Sequence, residues 1–224
     1  GIEPIVLVRG SDLLALAEDA VARGADVIGM AGGDGSQALV ASVASRHGIP
    51  FVVVSAGTRN HFALDLGMDR DDVLGSLDAF HDGVDRRIDL AEVNGRVFVN
   101  NASMGLYAKI VQSAEYRDAK VQTAADVLPD LIGPNAVPLD LQFTLPSGER
   151  ATSANLVLVS NNPYQLAHLR GAALRPRLDR GELGVVTLPV NGAADAQKLA
   201  ALEVAGQVRR FKGWHAWPPP ELEV

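Results

Sequence analysis

The chain of 224 residues contains no cysteine, which excludes a disulfide framework and a thiolate metal site. This lack fits a reducing compartment, and we expect a cytoplasmic protein. No apolar run approaches the roughly 20 residues that a membrane-spanning helix needs, and the first residues do not resemble a signal peptide. Because the first residue is Gly1 rather than Met, we expect that native residues precede it. A hydrophobic fraction of 47% is typical of a globular protein.

The net charge of −7 argues against a broad electrostatic attraction to nucleic acid. Two local groups of basic residues nevertheless stand out. The first is Arg170, Arg175, Arg177 and Arg180, and the second is Arg209, Arg210 and Lys212. Such groups fit either a solvated surface or a patch that faces anionic lipid headgroups, and the sequence leaves both interpretations open.

Residues 1–84 alternate between helical and strand patterns. Two short apolar runs, 26–31 and 49–54, are typical of strands that are buried on both faces. Strands separated by helices favour a parallel sheet with crossover connections, so we predict a Rossmann-like α/β domain over residues 1–84. The predicted helices cover about residues 13–21, with Ser11 or Asp12 as N-cap, and about residues 37–46, 60–66 and 71–80.

The pattern changes after residue 84. Apolar residues then alternate with polar ones, and Asn94-Gly95 predicts a type I′ hairpin turn. We therefore predict a second domain over residues 85–224, mainly antiparallel β and similar to a β-sandwich, with one helix around residues 193–204. Its predicted strands lie near residues 88–93, 97–99, 139–145, 156–159 and 183–188.

The most informative segment is Gly32-Gly33-Asp34-Gly35-Ser36, between a buried strand and a helix. Glycines let the backbone approach a ligand closely, and a helix N-terminus offers free N–H groups to an anion. The segment therefore predicts a phosphate site. The P-loop pattern fails because no lysine follows, and the dinucleotide pattern G-x-G-x-x-G has Ala38 at its third glycine.

The carboxylate of Asp34 would repel a phosphate unless a cation intervened. Asp34 therefore indicates Mg²⁺ that bridges to a nucleotide phosphate. The alternative is a tight turn in which Asp34 only caps a helix. A second strand–turn–helix junction, from Ser55 to Phe62, also has a glycine at its bend, Gly57. Because ligands bind at the carboxyl ends of neighbouring parallel strands, we expect both loops to face one crevice.

Four segments together resemble the catalytic domain of the diacylglycerol kinase family, which is related to sphingosine and NAD kinases. Gly32 to Ser36 resembles the GGDGT signature, and Gly57 to Ala63 resembles the block G-T-x-N-D-F-A. Asp89 to Asn100 resembles the next block, which contains a V-N-G-R-x-F-x-N hairpin, and Pro176 to Val185 resembles a later D-D-G-x-L block. The four segments occur in the order of the family, over most of the chain.

The resemblance implies a two-domain, ATP- and Mg²⁺-dependent lipid kinase whose nucleotide lies between the domains. It implies transfer of the γ-phosphoryl group to a lipid hydroxyl, such as that of diacylglycerol, at the inner membrane surface. A homodimer is compatible with it. The residues implied for ATP are Gly32, Gly33, Asp34, Gly35, Ser36, Gln37 and Thr58, and those implied for the metal are Asp34 and Asp89, with His61 as a further candidate.

The sequence departs from the family pattern at several places. Ser36 replaces a threonine, His61 stands where a metal-network aspartate is usual, and Arg180 replaces an aspartate at a structural magnesium site. The expected general base, a glutamate in a late D-G-E motif, is absent, so we expect it beyond Val224. The opening strand of the family is absent too. We therefore expect a chain trimmed at both ends and inactive by itself. The alternatives are an NAD kinase-like enzyme and a non-catalytic nucleotide-binding module.

Overall fold

A computed structural model describes residues 1–105, 139–167 and 174–224. The chain divides into two compact units, Gly1–Asn100 and Asn101–Val224. The hairpin around Asn94-Gly95 belongs to the first unit, although the sequence placed a domain boundary near residue 84. Whether each unit is an independently folding domain stays a prediction.

The first unit begins with alternating helices and strands, as the apolar spacing predicted. The carboxylate of Asp12 accepts a hydrogen bond from Ala15 N at 3.1 Å, and Gly24 follows the last turn with a positive φ of 94°. Gly48 ends the second helix in the left-handed region, with φ 66°, a conformation that glycine adopts without steric cost. The elements are α1 Leu13–Ala22, β1 Ile28–Gly32, α2 Asp34–His47, β2 Phe51–Ser55 and α3 His61–Asp65.

Strands β1 and β2 are parallel, with Ile28 paired to Phe51 and Gly32 paired to Ser55. Because they end in register, the loop after each strand leaves the sheet at the same edge. Helix α2 packs against α1 and β1 through Val40, Val43 and Ala44. Its Ala38 contributes to a second apolar cluster with Val53, Phe62, Ala63 and Val99. Burial on two sides fixes α2 against the sheet and α3.

The helix predicted over residues 71–80 is wrong in extent. The structure has a 3₁₀ turn, Gly75–Asp78, followed by the short helix α4, Ala79–Asp82. Asp72 Oδ1 accepts a hydrogen bond from Gly75 N at 2.8 Å, the contact of an N-cap, so helical turns begin only after Asp72. The next turn is 3₁₀ because Leu77 N bonds to Leu74 O at 3.0 Å, three residues back rather than four.

A hairpin completes the first unit, with β3 Ala91–Val93 and β4 Arg96–Phe98. Its turn residues Asn94 and Gly95 have φ values of 48° and 78°, which confirms the predicted type I′ turn. The strand predicted from residue 88 starts only at Ala91. Ile88 and Leu90 instead pack against the cluster around Phe62.

The second unit is mainly antiparallel. Leu156–Asn161 lies between Asn101–Gly105 and Leu183–Leu188, and His215–Trp217 forms one edge. A hairpin of Leu139–Thr144 and Arg150–Ala154 packs against this sheet through Phe143 and Ala154. In chain order these strands are β5 Asn101–Gly105, β6 Leu139–Thr144, β7 Arg150–Ala154, β8 Leu156–Asn161, β9 Leu183–Leu188 and β10 His215–Trp217; the helix α5 Ala193–Val204 and a 3₁₀ turn, Val208–Arg210, lie between β9 and β10.

These elements confirm a mixed α/β chain with a parallel sheet in its first unit and antiparallel sheets after it. The finer Rossmann-like and sandwich-like descriptions stay predictions. Among the residues that the structure describes, no helix is long and apolar enough to cross a membrane.

Candidate functional site

The first loop connects β1 to the N-terminus of α2. Gly33 is the N-cap residue and has no side chain to cap the helix. The backbone N–H groups of Asp34, Gly35 and Ser36 donate to no acceptor in the described structure, whereas Gln37 N bonds to Gly33 O. A helix of 14 residues adds the positive end of its dipole at this point. The helix therefore presents three unused donors where an anion would bind.

The glycine at position 35 leaves room above these donors. A Cβ built on Gly35 would meet no atom within 4 Å. Gly35 also lacks a positive φ, so neither packing nor backbone conformation requires a glycine there. A ligand that approaches the first turn of α2 does require it, because a side chain would occupy that space.

The second loop is organised by Asn60, which is buried and left-handed, with φ 48°. Its Oδ1 accepts from Gly57 N at 2.8 Å, and its Nδ2 donates to Ser55 O at 3.0 Å and to Arg70 O at 3.2 Å. Asparagine is one of the few residues that adopt this backbone conformation readily. Asn60 was not predicted to organise this loop, although an asparagine just before a helix is a usable signal.

The two loops touch at Gly33 and Gly57. A Cβ built on Gly57 would lie 2.3 Å from Gly33 Cα and 2.7 Å from Gly33 N. No side chain fits at this distance, so the contact requires glycine at position 57. Thr58 follows directly and is exposed, which leaves its hydroxyl accessible next to the first loop.

The carboxylate of Asp34 bonds to the second loop. Its Oδ2 accepts from His61 N at 3.2 Å and its Oδ1 accepts from Phe62 N at 3.1 Å. These amides start α3, whose own N-cap residue, Asn60, makes no side-chain cap. Asp34 therefore caps a helix 27 residues further along the chain, rather than the helix it begins. The alternative drawn from the sequence was that Asp34 only caps a helix. Asp34 does cap a helix, but the capped helix is α3.

His61 lies beside Asp34 and is half-buried. Burial is the main cause that lowers the pKa of its imidazole below the usual value, while the negative charge of Asp34 opposes this effect. The ring is therefore neutral at physiological pH. A neutral imidazole can accept a hydrogen bond or bind a metal, but it adds no negative charge to the site.

A preassembled metal site is not present in the described residues, because no group of three or more acidic or histidine side chains could hold an ion. Asp34 and His61 are adjacent, and Asp89 is half-buried just before β3. One carboxylate beside a phosphate site still suits Mg²⁺, which keeps most of its water and binds proteins through one or two carboxylates plus substrate phosphates. The roles of Asp34, Asp89 and His61 towards a metal stay predictions.

Gln37 differs from the other residues implied for ATP, because its side chain is 2% exposed. Its Nε2 donates to Gly32 O at 3.1 Å and to Val54 O at 2.9 Å. The side chain thus connects the ends of both strands. Nothing in the sequence pattern pointed to this arrangement, since a glutamine near a helix start is usually exposed.

The two basic groups from the sequence differ in the structure. Arg175 is buried at 3% exposure and donates to Asn161 O at 2.7 Å, and Arg177 pairs with Asp179. Arg180 lies 3.5 Å from Glu182, and Arg170 falls outside the described residues. In the described part of the first group, Arg175 is thus buried, and the exposed Arg177 and Arg180 each lie beside a carboxylate. The second group, Arg209, Arg210 and Lys212, is exposed.

Comparison with known proteins finds a family that matches the part of the chain with the two loops. Residues 3–93 match the diacylglycerol kinase catalytic domain. The resemblance drawn from the motifs is therefore confirmed for this part of the chain, which is similar to the diacylglycerol kinase catalytic domain.

One curated relative is similar to this chain over a segment of comparable length. The chain is 41% identical to a diacylglycerol kinase of Bacillus subtilis (strain 168) over 91 residues, which are 40% of this chain and 30% of that protein. The chain thus aligns with less than a third of the curated relative.

Two solved structures from Bacillus anthracis str. Sterne have a similar fold. A diacylglycerol kinase structure has a TM-score of 0.68 and 16% identity, covering 95% of this chain and 70% of that chain. In a further structure, whose description also names a diacylglycerol kinase, the TM-score is 0.68 at 20% identity, with coverages of 93% and 68%. At these identities the likeness establishes the fold alone.

Proposed function

We propose that the protein is a kinase that transfers the γ-phosphoryl group of ATP to the hydroxyl of a lipid such as diacylglycerol. The observation that carries this proposal is the pair of joined loops at the ends of β1 and β2. There the three unused amides of α2, the open space at Gly35 and the fixed carboxylate of Asp34 converge. The match to the catalytic domain family supports the same reaction class.

In the proposed reaction, the amides of Asp34, Gly35 and Ser36 hold phosphate oxygens of ATP. Ser36 and Thr58 contribute hydroxyl groups at the edges of the site. Mg²⁺ bound with the nucleotide would supply positive charge to the phosphate oxygens, and Asp34 would hold it directly or through water. Positioning and charge neutralisation are the main requirements of phosphoryl transfer.

The proposed reaction is a substitution at the γ-phosphorus of ATP. The lipid hydroxyl oxygen forms a bond to the γ-phosphorus while the bond to the bridging oxygen of ADP breaks. The hydroxyl proton passes to a base, which is not assigned among the described residues. A lipid acceptor places the protein at a membrane surface during the reaction, so we propose peripheral association.

The test begins with equilibrium binding of Mg·ATP to the chain, compared with Asp34→Asn. Transfer of labelled γ-phosphate is then assayed for the native protein that carries this sequence, with diacylglycerol vesicles and, separately, with NAD as acceptor. We expect a labelled lipid. Labelled NAD would identify an NAD kinase-like enzyme. Mg·ATP binding without transfer to either acceptor would favour a non-catalytic module.

A further inference from the structure

The side chain of Gln37 stands where it can hold both nucleotide loops. It lies in the first turns of α2, and helical side chains lean towards the helix N-terminus. From there its Nε2 reaches Gly32 O, the last residue of β1, and Val54 O, near the end of β2. Gly32 precedes the first loop and Val54 precedes the second, so one amide nitrogen bonds to the base of each.

The chemistry of these contacts requires a glutamine amide. Both partners are carbonyl oxygens, so the group between them must donate two hydrogen bonds, as an NH₂ group does. A carboxylate of the same size would present only acceptors. The Oε1 of Gln37 is buried without a partner in the described structure. Leaving a buried acceptor unpaired has a cost, and an apolar residue would avoid that cost if position 37 served only to fill the core.

We propose that Gln37 is a positioning residue that couples the two loops into one preformed phosphate site without touching the nucleotide. This proposal rests on the function proposed above, because the loops matter as a unit only if they bind a common ligand. The further contacts between the loops are Asp34 with His61 N and Phe62 N, and the close approach of Gly33 to Gly57. Each depends on the relative position of the two strand ends, which Gln37 bonds together.

Hydrogen exchange measures this coupling without any ligand. Gly57 N, His61 N and Phe62 N bond only to side chains of the loops, so their exchange reports the loop arrangement. In Gln37→Met, which keeps the size but loses both donors, we expect these amides to exchange roughly five- to tenfold faster, comparable to the loss of one net hydrogen bond. In Gln37→Glu at pH 8 we expect a larger change, because a carboxylate would face two carbonyl oxygens.

The matched control is Val43→Ala on the same helix. Val43 is fully buried and packs in the cluster with α1 and β1, away from both loops. This variant destabilises the core without removing a loop contact. We expect the exchange of Gly57, His61 and Phe62 in it to change only as far as global stability does. Equal exchange in Gln37→Met and Val43→Ala at matched stability would overturn the proposal and leave Gln37 as a core residue.

Mg·ATP binding provides the second measurement. Removing the residues that support metal ligands typically lowers metal affinity or activity roughly 10- to 100-fold. We expect a change of similar order in the Mg·ATP affinity of Gln37→Met and none in Val43→Ala. Unchanged affinity in Gln37→Met would also overturn the proposal. If the wild-type chain did not bind Mg·ATP, the proposed function would fail, and the exchange measurement would still decide whether Gln37 couples the loops.

Discussion

At Asp34, one carboxylate has two different tasks. It caps α3 through His61 N and Phe62 N, and under the proposed function it orients the metal that accompanies ATP. These tasks depend on different properties, because capping needs an acceptor oxygen while metal binding needs negative charge. Substitutions that separate the two properties therefore separate the two tasks.

We expect Asp34→Ala to lose both the cap and the charge. The free energy of unfolding should fall by about 0.5–2 kcal/mol, the usual cost of removing a helix cap, and nucleotide-dependent activity should disappear. Asp34→Asn keeps one acceptor oxygen, so it should retain more stability while losing activity to the same extent. Urea unfolding of the three chains and γ-phosphate transfer by the three native proteins that carry this sequence check this. An active Asp34→Asn protein would contradict the metal role.

His61 gives a prediction about pH. Its folded-state pKa is lowered, chiefly by burial and further by Arg59 and Arg70, while Asp34 and Asp65 oppose the shift. The unfolded chain therefore takes up a proton first as the pH falls below about 6.5. The stability that comes from a neutral His61 should be complete above that pH and be lost progressively below it, down to the folded-state pKa.

An NMR titration of the His61 ring in the ligand-free chain should show a midpoint below 6.5, the ordinary value for histidine. His61→Gln should remove this part of the acid destabilisation, because glutamine does not titrate in that range. A midpoint at or above the ordinary value would show that burial does not control the ring.

Single residues show where prediction from sequence reached its limit. Asp34 was recognisable because a carboxylate in an anion-binding loop is unusual. Its bonds to His61 and Phe62 were not, because they join residues 27 and 28 positions apart and depend on the register of β1 and β2. Gln37 was assigned to ATP through the family resemblance, and only the packing of α2 against both strands shows that its side chain is buried.

At the scale of elements, we expect alanine substitutions at the two loop glycines, Gly57 and Gly35, to change stability in opposite directions. Gly57→Ala forces a Cβ to within 2.3 Å of Gly33 Cα, and we expect a loss of about 1–3 kcal/mol in stability, as in other overpacked sites. Gly35→Ala adds a Cβ in open space on a helix. It should raise stability by up to about 1 kcal/mol and yet weaken Mg·ATP binding, because the methyl group occupies the proposed phosphate space.

Thermal unfolding and Mg·ATP titration of both glycine variants test this pair. If Gly35→Ala bound Mg·ATP as tightly as wild type, the phosphate would not lie over the first turn of α2.

The elements themselves were largely predictable. The strands β1, β2 and β9, the helices α1 and α5 and the hairpin turn follow from apolar spacing and turn chemistry, and the structure confirms them. The extent of the helix in segment 71–80 was predicted wrongly, because Leu77 N bonds to Leu74 O, and apolar spacing does not distinguish such a 3₁₀ turn from an α-helix. Strand β3 begins at Ala91 rather than at residue 88, because Ile88 and Leu90 pack against the apolar cluster around Phe62 instead of pairing with another strand.

At the scale of the whole molecule, the remaining question is how an acidic chain would approach a lipid surface. The exposed group Arg209, Arg210 and Lys212 is the described basic cluster that could do so, with roughly 1 kcal/mol per basic side chain near an anionic membrane. We expect the triple change to Glu to reduce sedimentation with phosphatidylserine vesicles. Arg177→Ala, whose charge is already paired with Asp179, should change it little.

Phosphatidylcholine vesicles provide the uncharged control for that experiment, and Mg·ATP binding shows that the variant is intact. Equal sedimentation of wild type and variant would favour the simpler interpretation of the cluster as a solvated surface. Salt should weaken the association in the wild type, because the attraction is between exposed charges.

The bonds between the two loops also bear on transplanting the site into another scaffold. The segment from Gly32 to Gln37 is short and continuous, so it invites transfer by itself. Its geometry, however, depends on contacts with residues of the second strand and loop, namely Val54, Gly57, His61 and Phe62. Grafting the glycine loop alone would transfer the motif sequence but not the backbone conformation that the second loop stabilises. The smallest transferable piece runs from Ile28 to Arg70, because Asn60 in the second loop also bonds to Arg70 O. Homologous recombination within that stretch would break the same set of contacts.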